Sequence, residues 1–327
     1  MQLHPMLADG AVLPAGKALC ISGSGTGAVR VEFAGRITRG VCKNGEFRVF
    51  LPSMTYGGPY ELTVTDEVGS VTCRDVYVGE VYLIAGQSNM QFKLRESSFP
   101  QEEYFTDPLL RTFSTARPEI GERFCPDDGW VQATPDTIAD LTAVGILMGM
   151  ELRRRKDVAI GLITCYQGAS IIESWMPERL ANQPEFRLDV RDKHTDHFYA
   201  QWNNAGYLYD YYFTPIIPYP LTGVAWYQGE SDAAEAEARI YRDELCAMID
   251  AWRSDLLDPE LPFAVVQIAD FDGNQSAGWK MIQQAQMDVN DPERRIYTVI
   301  CRDVCEKDQI HPPTKLPLAR RLADVFC

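Results

Sequence analysis

A serine at the end of an apolar run is the residue of this sequence best placed to act as a nucleophile. Residues 81–85 are apolar, Gly86, Gln87 and Ser88 follow, and the sequence then becomes polar. This pattern is typical of a buried strand, a tight turn and the start of a helix. It would expose the Ser88 hydroxyl at the carboxyl end of a sheet and leave its backbone N–H near a developing negative charge. Helix capping is the alternative role for Ser88.

A serine nucleophile needs a general base, and histidine is the usual one. The sequence has four histidines: His4, His194, His197 and His311. His4 lies in the N-terminal tail, and the pair His194 and His197 lies in a polar stretch without further metal ligands, which does not favour a metal site. His311 follows the last predicted strand and precedes the last predicted helix. The pattern therefore favours His311 as the base.

An aspartate stands three residues before this histidine. That spacing can place the Asp308 carboxylate on one imidazole nitrogen of His311 and leave the other nitrogen free. Pro312 and Pro313 restrict the backbone of the same loop. Asp303 is a second candidate carboxylate, and an incidental aspartate–histidine pair in a surface loop is the other interpretation.

Two further predicted strand ends carry polar groups. Gly168 follows the apolar segment 160–165, and a glycine allows its N–H to approach a ligand closely. Gln228 follows the segment 222–227 and offers an amide donor ahead of a long predicted helix. Ordinary turn chemistry is the alternative for both positions.

The order of predicted elements indicates two regions. Residues 1–77 contain short β-rich segments at 18–22, 29–33, 47–51, 60–65 and 70–73, separated by turn signals, which predicts a small antiparallel β-sandwich-like domain. Residues 78–327 alternate strands and helices, which predicts a three-layer α/β domain with a parallel sheet. Its strands are expected at 79–85, 110–115, 158–164, 222–227, 262–268 and 296–301, and its helices at 139–156, 232–253 and from 313 to the end.

Composition excludes several function classes. The 327 residues carry a formal charge of −15, so a nucleic-acid partner is not expected. No apolar run reaches the roughly 20 residues of a membrane span, and no membrane partner is expected. Nine scattered cysteines are typical of reduced thiols. The first residues lack a charged and an apolar leader region, which predicts a cytoplasmic protein, or a secreted one if a leader has been removed.

Three motifs in order resemble the sialate O-acetylesterase family of the SGNH hydrolases. The matching segments are Gly86-Gln87-Ser88-Asn89-Met90, Trp226-Tyr227-Gln228-Gly229-Glu230-Ser231 and Asp308-Gln309-Ile310-His311-Pro312. The β-rich stretch before them is similar to the small β domain that precedes the catalytic domain in this family. The resemblance covers nearly the whole chain.

The resemblance implies a flavodoxin-like α/β/α fold and the removal of O-acetyl groups from sugars, typically sialic acids. By motif, Ser88 is the nucleophile, His311 the base and Asp308 its orienting partner. The oxyanion hole would consist of the Ser88 N–H, the Gly168 N–H and the Gln228 side chain. No cofactor and no metal are implied.

The sequence departs from the family pattern at two places near the serine. The family often has Trp-Gly-Gly-Thr where this chain has Tyr166-Gln167-Gly168-Ala169, which bears on Gly168 as an oxyanion donor. A glutamate commonly follows Ser-Asn-Met, whereas this chain has Gln91. That difference bears on the floor of the pocket.

The substrate pocket and the substrate are less constrained by motifs. Side chains near the strand ends that we expect to line a sugar pocket are Gln87, Glu173, Trp175, Trp202, Asn203 and Glu230, with core packing as the alternative for the aromatic ones. A sialic acid carboxylate calls for an arginine, and the candidates are Arg95, Arg117 and Arg302. An O-acetylated sugar is the expected partner. An acetylesterase for plant polysaccharide such as xylan, and a non-catalytic carbohydrate-binding protein, are the alternatives; the oligomeric state stays open.

Overall fold

A computed structural model describes residues 1–115, 129–186 and 199–327. The strands are β1 Gln2–Leu3, β2 Val12–Pro14, β3 Leu19–Ser24, β4 Ala28–Phe33, β5 Arg36–Val41, β6 Glu46–Leu51, β7 Gly57–Thr65, β8 Ser70–Gly86, β9 Asp107–Ser114, β10 Val131–Ala133, β11 Ile160–Tyr166, β12 Gly223–Tyr227, β13 Phe263–Val266 and β14 Ile296–Val299. The α-helices are α1 Ser88–Gln91, α2 Pro135–Ile138, α3 Ala143–Arg155, α4 Glu178–Ala181, α5 Glu235–Ala238, α6 Tyr241–Asp255, α7 Ala277–Asp288 and α8 Leu316–Phe326.

The main sheet is built around β8. Its strand order is β10-β9-β11-β8-β12-β13-β14, and every neighbouring pair from β9 to β14 is parallel, whereas β10 is antiparallel to β9. The chain passes from β8 to one side of the sheet for β9 and β11 and to the other side for β12. Connections therefore diverge on the two sides of β8, and such a switch point leaves a crevice at the carboxyl ends of the strands.

Burial explains why these segments form central parallel strands. All residues of β11, β12 and β13 are buried, and so is the second half of β8 from residue 78. Continuous apolar runs of this kind fit strands that are covered on both faces. Apart from the start of β8, the strand positions predicted for the α/β region agree with the structure within a few residues.

The N-terminal region shares a strand with the α/β region. The segments 70–73 and 79–85, expected to be separate strands, are parts of the single strand β8, so that expectation is wrong. The first half of β8 pairs with β7, which pairs with β4, while β1, β3 and β6 form a separate three-stranded sheet. β8 runs through the proposed boundary between residues 77 and 78; the boundary, the sandwich and the exact layering stay predictions.

The helices differ from the sequence-based expectation in their limits. The helix expected at 139–156 begins at Ala143, because the Thr142 side chain caps it by accepting a hydrogen bond from the Gly145 N–H at 3.1 Å. The helix expected at 232–253 is divided into α5 and α6. Strand β5 and helix α7 were outside the predicted elements. No helix in the described part of the chain is long and apolar enough to cross a membrane.

Replacing Gly86 should disrupt the turn on which Ser88 depends. Gly86 has a φ of 140°, and a Cβ at this position would lie 2.0 Å from the Tyr227 carbonyl oxygen. We expect Gly86→Ala to lower the free energy of unfolding by about 3 kcal/mol or more, because backbone strain and overpacking act together.

The matched control is Gly69→Ala, because a Cβ on Gly69 meets nothing within 4 Å. Chemical denaturation of both variants measures the difference. Equal stability of the two variants would contradict the close approach of Gly86 to Tyr227.

Candidate active site

Three strand ends meet at one level of the sheet. Gly86 at the end of β8 is in register with Tyr166 at the end of β11 and with Tyr227 at the end of β12. Ser88 follows two residues later as the first residue of the short helix α1 and is half-buried. The fold therefore places the serine in the crevice that the sheet topology creates.

The imidazole of His311 lies next to the hydroxyl of Ser88. Its Nε2 is 2.8 Å from the Ser88 Oγ, which is hydrogen-bond distance. The histidine belongs to the irregular loop between β14 and α8, and its ring centroid lies 6.1 Å from that of Phe92. This is the geometry in which an imidazole can take the proton of a serine hydroxyl.

Hydrogen bonds hold the histidine loop against the segment that follows the serine. The Asn89 Nδ2 donates to the Ile310 carbonyl oxygen at 2.9 Å, directly before the histidine. The Ser98 N–H donates to the carbonyl oxygen of Pro313, two residues after the histidine, at 3.0 Å. The loop is thus fixed on both sides of His311 by residues close to Ser88 in the sequence.

The electrostatic surroundings favour a neutral imidazole. Burial lowers the pKa of His311 below its ordinary value, and the positive charge of Lys315 lowers it further, whereas the negative charge of Glu96 acts to raise it. A general base must be unprotonated, so a lowered pKa keeps it competent at neutral and mildly acidic pH.

The structure does not join Asp308 to His311. The Asp308 side chain is exposed, and within the described residues no hydrogen bond links the two. The expected pairing on one turn of chain is therefore absent, because the loop directs this carboxylate to solvent. Asp303, the other candidate, is also turned away and pairs with Arg321.

Two of the expected oxyanion donors, the N–H groups of Ser88 and Gly168, belong to residues that lie close together but differ in their hydrogen bonds. The Ser88 N–H donates no hydrogen bond to any described residue, so it is open. Gly168 lies beside the serine, since a Cβ on Gly168 would be 3.6 Å from the Ser88 Cβ. The Gly168 N–H, however, donates to the Gln91 Oε1 at 2.8 Å. Gln91 thus covers the donor that the family pattern assigns to Gly168.

Gln228 does not supply an oxyanion donor in this structure, which corrects the expectation. Its side chain is fully buried and its Nε2 donates to the Ser170 carbonyl oxygen at 2.9 Å and to the Asp232 carboxylate. Its Oε1 accepts from the Tyr241 hydroxyl at 2.9 Å. Both amide hydrogens are committed, and Gln228 joins the ends of two strands.

Two residues expected to bind substrate instead hold the neighbouring turns. The Gln87 Oε1 accepts hydrogen bonds from the Gly229 N–H at 3.2 Å and the Ser231 N–H at 3.3 Å. The Asn203 Nδ2 donates to the Ala169 carbonyl oxygen at 2.8 Å, and its Oδ1 accepts from the Ile171 N–H at 3.1 Å. Since Ala169 has a φ of 54°, Asn203 supports a strained turn beside Gly168.

Three of the four remaining side chains of the expected pocket are buried, and Glu230 is half-buried. Trp175 is 0% exposed and packs edge-on against Trp226 and Trp252, so it is a core residue. Glu173 and Trp202 are also buried. The Glu230 Oε1 accepts from the Asn89 Nδ2 at 2.6 Å, and its Oε2 is buried without a hydrogen-bond partner among the described residues. Glu173, Trp175 and Trp202 therefore do not line an open sugar pocket, whereas a substrate-binding role of Glu230 stays a prediction.

The candidate arginines for an acidic substrate are already paired or undescribed. Arg95 lies 3.0 Å from Asp140, and the Arg302 Nε lies 2.7 Å from Asp270. Arg117, like His194 and His197, lies outside the described residues. Within the described ranges, no group of three or more histidine, cysteine, aspartate or glutamate side chains is arranged to hold a metal ion.

Two residues at the site escaped the sequence-based analysis of function. Asn89 is part of the motif that contains Ser88, but its position in that motif does not show that its amide reaches the histidine loop. Lys315 is 1% exposed, and its Nζ donates to the Asn89 Oδ1 at 2.7 Å. A single lysine at the start of a helix resembles any surface lysine, so no sequence signal marks it.

Ser88 lies on a strand–turn–helix segment at the carboxyl edge of a mainly parallel sheet, and His311 is within hydrogen-bond distance of its hydroxyl. This arrangement is typical of hydrolases built on α/β folds. The chain belongs to the carbohydrate esterase family described as sialic acid-specific acetylesterase, whose model matches residues 78–327. This family is one of carboxylic ester hydrolases, and the match confirms the resemblance carried by the three sequence motifs.

Individual relatives agree with this membership. The sialate O-acetylesterases of Pongo abelii and Homo sapiens are each 24% identical to the chain over 88% of its length. The chain spans about 61% of the length of these relatives. A solved carbohydrate acetylesterase from Xanthomonas citri is 31% identical, with a TM-score of 0.86, and the match covers 99% of this chain and 74% of that one.

The pH dependence of ester hydrolysis should report the charges around His311. We expect kcat/KM for p-nitrophenyl acetate to rise with pH and reach half its maximum below about pH 6.5, the ordinary pKa of histidine. Removing the Glu96 charge removes a group that raises the pKa of His311. Glu96→Gln should therefore move the midpoint to lower pH.

Glu102→Gln is the control, since Glu102 is exposed and does not influence the pKa of His311. Complete pH profiles of the three proteins measure the shift. A midpoint above 6.5 in the unsubstituted protein, or an upward shift in Glu96→Gln, would be inconsistent with these surroundings.

Proposed function

We propose that this chain is a serine esterase that removes O-acetyl groups from carbohydrates through an acetyl-Ser88 intermediate, with O-acetylated sialic acids as the preferred substrates. The observation that carries the proposal is the 2.8 Å contact between the His311 Nε2 and the Ser88 Oγ. Family membership supports the acyl-transfer chemistry, and the names of the mammalian relatives support the choice of sugar. The same contact argues against a protein that only binds carbohydrate.

The proposed reaction has two steps. His311 accepts the proton of the Ser88 hydroxyl while the Oγ attacks the acetyl carbonyl carbon. The ester bond to the sugar then breaks, and the imidazolium gives its proton to the departing sugar oxygen, which leaves as a hydroxyl. Water, deprotonated by the same imidazole, attacks the acetyl-enzyme and releases acetate. Ser88 regains its proton, so no cofactor is consumed.

The tetrahedral oxygen needs hydrogen-bond donors in both steps. The open Ser88 N–H supports its role as the first donor. The Gly168 N–H becomes the second donor when the Gln91 side chain turns away and the substrate oxygen takes the place of the Gln91 Oε1. Gln91 then acts as a polar cover that keeps the Gly168 N–H satisfied between turnovers.

Asp308 is retained as the proposed orienting partner of His311. Catalytic hydrogen bonds are often long or poorly aligned before substrate binds and tighten only in the substrate complex. Because Asp308 is three residues from His311 on the same loop, this role requires a rearrangement of the loop before His311 that brings the carboxylate to the Nδ1 of the imidazole.

A specific observation favours a second substrate class. Among the described candidate cations, Arg95 and Arg302 are paired with aspartates, so neither is open to a sugar carboxylate. Neutral acetylated polysaccharide such as xylan does not need such a cation. We therefore keep acetylated xylan as the second candidate substrate. Cytoplasmic location stays a prediction.

Acetate release tests the proposal and separates the two substrates. We expect faster release from O-acetylated sialic acid than from acetylated xylan, and a decrease of at least about a thousandfold for both in Ser88→Ala. Ser53→Ala, which changes an exposed serine between β6 and β7, should keep full activity. Full activity of Ser88→Ala would refute the serine mechanism. Faster acetate release from xylan would make acetylated xylan, rather than O-acetylated sialic acid, the preferred substrate.

The role of Asp308 can be measured separately. Asp308→Asn should lower kcat by at least about a thousandfold, because an amide no longer stabilises the imidazolium or selects the tautomer. Asp303→Asn is the control, since Asp303 is bound to Arg321 at the surface. If Asp308→Asn retains more than about a tenth of the unsubstituted kcat, Ser88 and His311 act without this carboxylate.

A further inference from the structure

A buried lysine lies behind the candidate active site. Lys315 is 1% exposed and stands directly before α8. Its Nζ donates a hydrogen bond to the Asn89 Oδ1 at 2.7 Å and lies 5.1 Å from the centre of the Phe92 ring and 5.6 Å from that of the Tyr227 ring. A lysine is almost never this buried without a specific set of partners.

The partners of this ammonium belong to the segments that make the site. Asn89 follows Ser88, Phe92 packs beside His311, and Tyr227 ends β12 at the level of Gly86. Asn89 in turn donates both amide hydrogens, one to Glu230 at 2.6 Å and one to the Ile310 carbonyl oxygen at 2.9 Å. One buried cation therefore connects the nucleophile turn with the histidine loop.

The lysine completes the set of partners that holds the Asn89 amide in place. An amide group has one acceptor side and one donor side, and only the observed orientation presents the NH₂ to Ile310 and Glu230. The Lys315 ammonium can only donate and the Ile310 carbonyl can only accept, so the partners on both sides together select the orientation in which the Asn89 oxygen faces the lysine. Without that donor, the oxygen of the buried Asn89 amide loses its hydrogen-bond partner, which destabilises this arrangement and loosens the hydrogen bond next to His311.

We propose that Lys315 is a positioning residue for the esterase: through Asn89 it fixes the histidine loop at hydrogen-bond distance from Ser88. This inference rests on the proposed function. Lys315 has almost no exposed surface and so does not touch substrate. It affects the rate of the chemical step through the distance and angle between His311 and Ser88. A misplacement of about 1 Å between such groups lowers the rate by up to about a hundredfold.

The charges around the lysine and the histidine predict a second effect. Burial lowers the pKa of Lys315 to about 8, while the negative potentials of the Cys305, Cys301, Glu230 and Glu306 side chains act to raise it. The ammonium is thus charged at neutral pH. Its charge lowers the pKa of His311, and Glu96 opposes it. Removing the ammonium should raise the pKa of His311.

The test is Lys315→Met, which keeps the length of the side chain and removes its charge and donors. For p-nitrophenyl acetate at pH 7.5 we expect kcat to fall about tenfold to hundredfold with KM within about twofold of the unsubstituted value. We also expect the acid midpoint of kcat/KM to move to higher pH. Lys307→Met, which removes an exposed lysine of the same loop, should change neither quantity.

A second variant covers the case in which Lys315→Met is too unstable to purify. Lys315→Met/Glu230→Gln removes the buried cation and its neighbouring carboxylate together, so that no buried charge is left uncompensated. The same fall in kcat is expected because Asn89 still lacks its donor, and the same upward midpoint shift is expected because the positive charge near His311 is still removed. A kcat within about twofold of the unsubstituted value in a folded variant would overturn the proposal.

The outcomes separate this inference from the proposed function. A fall in kcat with an unchanged acid midpoint would indicate only a structural role and would also overturn the inference. If the unsubstituted protein releases acetate through Ser88 and the Lys315 variants match it, the inference fails and the esterase stands. If Ser88→Ala retains full activity, the proposed function fails first.

Discussion

The site depends on three parallel strands that end at the same level. Tyr166, Gly86 and Tyr227 are in register across β11, β8 and β12, and the chain can turn at Gly86 only because no side chain stands between it and the Tyr227 carbonyl oxygen. The turn places Ser88 over the crevice where the connections diverge. Any account of the chemistry starts from this close approach of two strand ends.

Polar side chains around that turn are used mainly to satisfy buried backbone groups. Gln87 accepts from two N–H groups of the turn after β12, Gln228 donates to the turn after β11, and Asn203 holds the strained Ala169. Each unpaired buried group would cost about 1–3 kcal/mol. The side-chain amides of Gln87, Gln228 and Asn203 therefore hold the turns around the serine rather than contact a substrate.

The sequence predicted the parts of the structure that local patterns determine. The fully buried strands β11 and β12 were recognisable as apolar runs, and Ser88 was recognisable because it follows such a run. His311 was recognisable because it lies between the last strand and the last helix, three residues after an aspartate. The continuity of β8 was not, because Arg74 and Asp75 interrupt its apolar pattern, and pairing with β7 overrides that local signal.

Side-chain partners were harder to predict than side-chain locations. Gln228 and Trp175 were placed correctly near strand ends, but their burial and their partners depend on helices distant in the sequence, such as α6, which carries Tyr241 and Trp252. Lys315 was not predicted to be part of the site, since only tertiary contacts show that it is buried beside Asn89. The triad order could be proposed from motifs, whereas the exposed position of Asp308 required the structure.

Covalent labelling tests the central claim, that His311 activates Ser88, most directly. The protein would be treated with a fluorophosphonate, and the modified residue would be mapped by peptide mass spectrometry. The account predicts one adduct, on Ser88, formed far more slowly in His311→Ala and not at all in Ser88→Ala. An adduct on another residue, or acetate release by a protein in which Ser88 stays unlabelled, would contradict it.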